Sequence, residues 1–255
     1  MHPILLKIGA LSIYSYGTML AIAFLVSIFL ISVRAEKKGI NKDIVFSLGF
    51  WVIIWSIIGA RLTYVLLNLK EFSHPFEIFS LNNGGLVFYG GLFCGLICAA
   101  LYLKKQGIRV LDFFDLACPY LALGQAIARI GCFLNGCCYG KPANFAGVIF
   151  SPDSVAGSRF CNIPLHPVQI YDSFACLLIF IILLMYSKKN SKTGSLFFLY
   201  LLFYSVERFI FEFIRADSEP IIFNLTVFQV ISIVLAIFSV VWLIVIKRKN
   251  GNKDR

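Results

Sequence analysis

The chain has 255 residues, 59% of them hydrophobic and 14% charged, which leaves too little polar surface to coat a soluble domain of this size. Its net charge of +10 would suit nucleic acid if the basic residues gathered on one solvated face, but here they punctuate apolar runs, and no nucleic-acid partner is expected. Eight cysteines would suit a secreted disulfide scaffold, yet Cys94, Cys98, Cys118 and Cys176 lie inside apolar stretches and read as packing residues.

Crossing hydrocarbon takes about 20 apolar residues, and seven windows qualify: 13–33, 44–67, 85–103, 112–133, 168–186, 195–214 and 224–246. Only Lys7 precedes the first, and basic residues follow it, the reverse of a cleavable signal peptide, so it is read as a span. The expected fold is an all-α integral membrane protein, a single transmembrane domain over 1–255 with an extracytoplasmic loop at roughly 134–167.

Cytoplasmic loops retain lysine and arginine, which orients the spans. Arg34, Lys37, Lys38 and Lys42 follow the first span, Lys104, Lys105 and Arg109 the third, and Lys188, Lys189 and Lys192 the fifth. Lys247, Arg248, Lys249, Lys253 and Arg255 complete fifteen on this side, against four on the other: Lys7, Lys70, Lys141 and Arg159. The N-terminus is therefore expected outside and the C-terminus in the cytoplasm.

Arg61, Arg129, Arg208 and Arg215 remain, each inside or at the end of a span. Counted along the helix, Arg61 and Arg129 lie about 25 Å, and Arg208 about 20 Å, from the cytoplasmic starts of their spans. All three reach the outer leaflet. Tyr16, Tyr89 and Gln169 occupy outer first turns and Asn135 follows span four, so polar groups from six helices are expected at one depth.

A guanidinium in hydrocarbon costs at least about 2.5–3.5 kcal/mol on insertion scales, so each of these arginines needs a partner or a wet cavity. Glu207 and Glu212 can supply part of it, since Glu212 follows Arg208 by four residues and precedes Arg215 by three. Snorkelling to the interface is the plain reading of Arg215, and snorkelling or helix pairing competes with function at Arg61. Arg129 has no acid within a helical turn, and Asp112 and Asp115 lie at the far end of its span. Its counter-ion is expected from elsewhere, an outer-leaflet phosphate being the abundant candidate, because the guanidinium fork pairs with phosphate through two parallel hydrogen bonds.

The stretch Arg129-Ile130-Gly131-Cys132-Phe133-Leu134-Asn135-Gly136-Cys137-Cys138-Tyr139-Gly140 resembles the signature of bacterial prolipoprotein diacylglyceryl transferases. Other segments agree in order: Tyr14-Ser15-Tyr16-Gly17, Gly59-Ala60-Arg61-Leu62, Gly84-Gly85-Leu86-Val87-Phe88-Tyr89-Gly90-Gly91, His166-Pro167-Val168-Gln169-Ile170-Tyr171, and the stretch from Tyr204 to Arg215. The resemblance spans the whole chain. It implies transfer of a diacylglyceryl group from phosphatidylglycerol to the lipobox cysteine thiol in the signal peptide of a preprolipoprotein, the first step of bacterial lipoprotein biosynthesis, with release of glycerol phosphate. Membrane lipids would surround the enzyme in the bacterial cytoplasmic (inner) membrane, its site would face the extracytoplasmic leaflet, and no metal or other cofactor is implied. Carried onto this chain, Arg129, Arg208 and Tyr89 are the catalytic candidates. Arg129, Tyr16, Arg61, Asn135, Gly140, Tyr204, Glu212 and Gln169 are the substrate-binding ones.

Tyr89 stands where many members of that family have histidine, and Cys132 and Cys137 stand where many have asparagine and glutamate. A histidine base at the glycine-flanked position is thus excluded. For Cys132, Cys137, Cys138 and Cys161 three readings compete: a disulfide from Cys137 or Cys138 to Cys161, free thiols, or a metal site completed by His166. The disulfide is favoured, because the spacing lacks paired C-x2-C knuckles. A cysteine acyl-enzyme would need a base, and His166 is the only histidine nearby in sequence.

The rival from another class is a transporter for an anionic solute or lipid, but inverted repeats are not visible and the charges cluster in one leaflet. A reporter fused after Arg255 is expected to signal from the cytoplasm. An extracytoplasmic signal would overturn the orientation.

Overall fold

Apolar runs in hydrocarbon must satisfy their own backbone groups, and the helix does so within one segment. The computed structural model describes residues 3–9, 11–69, 85–145, 147–188, 192–218, 220–221 and 224–251. Lys70, Gly84, Lys189, Lys253 and Arg255, used above, lie outside the described residues. A short antiparallel hairpin, β1 (Ile4–Ile8) and β2 (Leu11–Tyr14), runs directly into α1 (Ser15–Glu36). Then come α2 (Lys42–Leu67), α3 (Phe88–Lys105), α4 (Val110–Asn135), the short α5 (Val155–Arg159), α6 (Val168–Ser187), α7 (Ser195–Glu212) and α8 (Val227–Gly251).

The seven long helices fall on the seven expected windows. Among the described residues six helices are long and apolar enough to cross a membrane, and α7 is the exception. It carries Glu207, Arg208 and Glu212, all buried, and it packs against both α6 and α8. The protein is an all-α integral membrane protein, and the three charged residues of α7 are sheltered by its neighbours. The hairpin is an addition that hydropathy did not signal.

The chain divides into two compact units, Ile31–Phe113 and the combination of Met1–Leu30 with Phe114–Arg255. The Ile31–Phe113 unit is built on the α2–α3 crossing. A side chain at Gly59 would meet Cys94 Cβ at 2.5 Å and the Gly90 carbonyl at 2.6 Å, so only hydrogens fit where these helices touch. Before α3, Val87 N–H donates to the Ala60 carbonyl at 3.1 Å, and Arg61 Nη1 donates to the Gly85 carbonyl at 3.2 Å. Gly85 has φ +81°, and a side chain there would collide with the Tyr64 ring at 2.6 Å. Arg61 also lies over the Tyr64 ring, 5.5 Å from its centre. Its observed work is to brace the glycine run.

In the larger unit Cys118, Ala122, Ile179, Leu183, Leu196 and Tyr200 form a core shared by α4, α6 and α7. Asp115 ties the start of α7, accepting from the Gly194 N–H and from the Phe197 N–H at 2.8 Å, where a carboxylate also favours the positive end of the helix dipole. Asp112 pairs with Arg109 at 2.6 Å in the other unit. Ser27 on α1 donates to the Tyr120 carbonyl at 3.0 Å, and Ser173 on α6 to the Ala126 carbonyl at 2.8 Å, clamping both helices to α4.

The segment between α4 and α6 has its own small core of Tyr139, Phe150, Ala156 and Leu165. Its start is bound on two sides: Gly140 N–H donates to the His166 carbonyl at 3.0 Å, and Lys141 N–H to the Ile214 carbonyl at 2.8 Å.

Candidate active site

The polar face of α7 is a ladder at four-residue spacing, Tyr200, Tyr204, Arg208 and Glu212, which stacks side chains one above the next. Arg208 Nη2 pairs with Glu212 Oε2 at 3.1 Å, and its guanidinium lies 4.4 Å from the centre of the Phe228 ring. Glu212 also takes Arg215 at 3.8 Å and a hydrogen bond from the Thr226 hydroxyl at 2.9 Å. Thr226 begins α8 in a capping box: its N–H donates to Gln229 Oε1 at 3.0 Å and the Gln229 N–H returns to its hydroxyl at 3.3 Å. One carboxylate thus joins the end of α7 to the start of α8.

Arg215 does not snorkel. It is buried and holds Asp217 through Nε at 2.9 Å and Nη2 at 2.7 Å, because the backbone bridge between Gly140 and Arg215 encloses it.

Arg129 has a counter-ion that sequence distance concealed. Its Nε lies 3.2 Å from Asp172 Oδ2, on the first half of α6. Asp172 is buried, whereas the Arg129 side chain remains 21% exposed. A counter-ion is expected from elsewhere, with phosphate as the abundant candidate, and α6 supplies a carboxylate in that position. Glu207 on α7 is buried beside Asp172 and within the field of both arginines. Three arginines and four carboxylates therefore share this end of the unit, so the cluster is not the cationic pocket that counting arginines suggests.

Its hydrogen-bonding capacity is unfilled. Among the described residues, buried atoms without a protein hydrogen-bond partner include Arg208 Nη1, Gln169 Oε1, Asp172 Oδ1 and Glu207 Oε2, while Asp172 Oδ2 and Glu212 Oε2 are held in ion pairs by guanidinium groups. A buried charged donor without an acceptor costs more than about 1–3 kcal/mol, so Arg208 Nη1 has capacity for a further oxygen.

The end of α4 supplies the rest. Gly136, at φ +71°, ends the helix: its N–H donates to the Phe133 carbonyl and the Cys137 N–H to the Cys132 carbonyl, both at 3.2 Å, the pair of bonds of a Schellman cap. That turn lays Cys137 back on Cys132, and Cys138, at φ +61°, brings a third sulfur to them. The three sulfurs lie within 4.8 Å of one another. The Cys138 thiol is held well below the usual thiol range by hydrogen bonds from Cys132 and Cys137, and by Arg215 and Arg129, against the cost of burial. All eight cysteines are free, and Cys161 is exposed and apart from this group, so the disulfide favoured above is absent. His166 is not a member either. Its backbone holds Gly140 and Lys141, and its ring stands 6.4 Å from Tyr171.

The other candidates fall as follows. Gln169 is buried and donates to the Cys137 carbonyl at 2.7 Å. Asn135 is the last residue of α4, and Tyr204 lies one turn before Arg208. Tyr16 backs onto Gly131, where a side chain would meet Met19 Cβ at 2.8 Å. Gly140 has no room for a side chain, which would lie 2.7 Å from His166 and Val168. Arg61 and Tyr89 belong to the Ile31–Phe113 unit. Sequence reasoning missed Asp172 and gave Glu207 only a neutralising role. An acid at the fifth position of an apolar span was the available signal, by the same rule that singled out the arginines.

Fold and site define a polytopic helical membrane protein with a buried arginine–carboxylate cluster. The family model described as prolipoprotein diacylglyceryl transferase matches residues 3–245. A phosphatidylglycerol–prolipoprotein diacylglyceryl transferase of Clostridium tetani is 40% identical over 241 residues, 94% of this chain and 96% of that one. Enzyme 2 of the same name from Clostridium perfringens is 34% identical, covering 100% of this chain and 98% of its own length, and the Bacillus velezensis enzyme 32%, covering 100% and 95%. The chain belongs to the prolipoprotein diacylglyceryl transferase family and is a transferase.

The Arg129–Asp172 pair yields a separable prediction. Asp172→Ala strands a buried guanidinium and is expected to cost about 3–5 kcal/mol of stability, whereas Arg129→Met with Asp172→Leu restores it, as apolar replacement of a buried pair does. Thermal melting in detergent reads the first effect, and transfer activity separates the roles. The double variant is expected to be stable and inactive.

Proposed function

We propose that this protein transfers the diacylglyceryl group of phosphatidylglycerol to the lipobox cysteine thiol of preprolipoproteins, at a site open to the extracytoplasmic leaflet of the bacterial cytoplasmic membrane. The observation that carries this reading is the unfilled guanidinium capacity at Arg208 Nη1, beside an Arg129 that pairs with Asp172 and stays 21% exposed, in a chain of this family.

In the reaction the thiol sulfur bonds to the glyceryl carbon, the bond from that carbon to the phosphate oxygen breaks, and the thiol proton is lost. The phosphodiester enters with one negative charge and leaves as glycerol phosphate with two. Arg129 and Arg208 face the group on which charge accumulates, which is where preorganised donors accelerate a reaction most. Tyr16, Asn135, Gly140, Gln169, Tyr204 and Glu212 line or frame that region in the proposed complex. The fifteen-to-four distribution of loop charges supports the outward-facing site.

Purified protein, labelled phosphatidylglycerol and a lipobox peptide test the proposal. A lipid-shifted peptide supports it, and lipid movement without thioether formation favours the transporter reading. In the same assay Arg129→Lys, which keeps charge but loses the bidentate fork, is expected to lose most activity while remaining folded. Near-normal turnover would demote Arg129 to a structural role. Tyr89→Phe is expected to retain substantial turnover, because an unperturbed phenol is only about 0.1% ionised at pH 7 and one neutral hydrogen bond is worth about 0.5–1.5 kcal/mol. Inactivity of a folded Tyr89→Phe enzyme would make its hydroxyl chemically necessary.

A further inference from the structure

The three converging sulfurs have no part in the transfer described above. Their convergence is built by the backbone: the Schellman turn at Gly136 sets Cys137 against Cys132, and the left-handed conformation of Cys138, uncommon for a side-chain-bearing residue, returns the third sulfur to the other two. Two observations decide what the arrangement suits. A disulfide uses two sulfurs and leaves one idle. Adjacent Cys137 and Cys138 are also poorly placed to bridge each other, because neighbouring Cα atoms lie about 3.8 Å apart, short of the roughly 4.4–6.8 Å that disulfides span. A metal ion uses all three. With zinc–sulfur bonds of about 2.3 Å, tetrahedral ligands stand about 3.8 Å apart, and the sulfurs already lie within 4.8 Å.

We propose that Cys132, Cys137 and Cys138 form a three-thiolate site for a thiophilic d10 cation, zinc(II) or copper(I). Three thiolates around the ion leave an anionic centre, −1 with a divalent ion and −2 with a monovalent one. Arg129 and Arg215 stand within the field of the sulfurs and offset that charge. Asn135 lies between the ligands in sequence, and the Cys137 carbonyl holds Gln169. Closure of the site therefore fixes the end of α4 to the first turn of α6. Soft thiolate ligands select these ions over magnesium or calcium, which take oxygen. Three protein ligands leave the fourth tetrahedral position open. The proposal is independent of the transferase reading, and its test does not use transfer activity.

Reduced, metal-free protein in detergent is titrated with cobalt(II) as the spectroscopic probe, then with zinc(II) and with copper(I) in separate arms. One equivalent of cobalt is expected to give sulfur-to-metal charge-transfer absorption, which zinc or copper abolishes by displacement, the more effective ion identifying the preferred cation. The absorption is expected to persist in Cys161→Ser and to vanish when Cys132, Cys137 and Cys138 are all serine. Unaltered protein needs no folding control, so absence of the absorption there overturns the proposal. So does absorption that survives the triple substitution, which would place cobalt at other cysteines.

Discussion

Burying guanidinium groups in a low-dielectric interior is the constraint from which the larger unit is organised. Removing one partner of such a pair costs far more than the pair contributes, so the helices must arrive together with their charges matched. Asp172 ties α6 to α4 through Arg129, and Glu212 ties the α7 arginine to Arg215 and to the first residue before α8. The helix bearing most of these groups is the one long helix that fails as a membrane span by composition, and it is enclosed by α6 and α8. Enclosure and charge are two sides of one requirement. A helix with Glu207, Arg208 and Glu212 on a lipid-facing surface would not stay in hydrocarbon.

Local backbone rules then set where the chemistry sits. The cap at Gly136 turns the chain out of α4 about two turns beyond Arg129 and folds it back over its own end, so the segment that follows meets both His166 and Ile214. Those two meetings bury Arg215 and leave no space at Gly140. A residue that a motif comparison marks as substrate-binding has, in this fold, a sufficient packing reason to be glycine.

Much of this was legible in the sequence. Seven apolar windows fell on the seven long helices because hydrocarbon thickness fixes span length, and the four-residue spacing of Arg208 and Glu212 placed them together because helix geometry does. Asp172 was not legible as the partner of Arg129, since pairing between helices depends on which faces meet, and no local period reports that. Arg215 failed for a related reason: snorkelling assumes a free route to the interface, and a backbone bridge closes it. Of the three readings of the cysteines, free thiols is the one found, and the pairing with the distant Cys161 is not. The six residues from Cys132 to Cys137 already spelled a helix end with glycine in place, from which their proximity follows.

A cluster holding at least as many carboxylates as arginines raises the question of how it favours an anion at all. The answer lies in the change of charge during the proposed reaction. A phosphodiester with one charge competes with Asp172 for Arg129 on roughly equal terms, so ground-state binding gains little. As the carbon–oxygen bond breaks, the second charge develops on phosphate, and its attraction to Arg129 and Arg208 grows while that of Asp172 does not. In the proposed reaction the carboxylates would thus hold the guanidiniums oriented and partly neutralised until charge appears, concentrating stabilisation in the transition state, where it accelerates a reaction and does not merely tighten substrate binding.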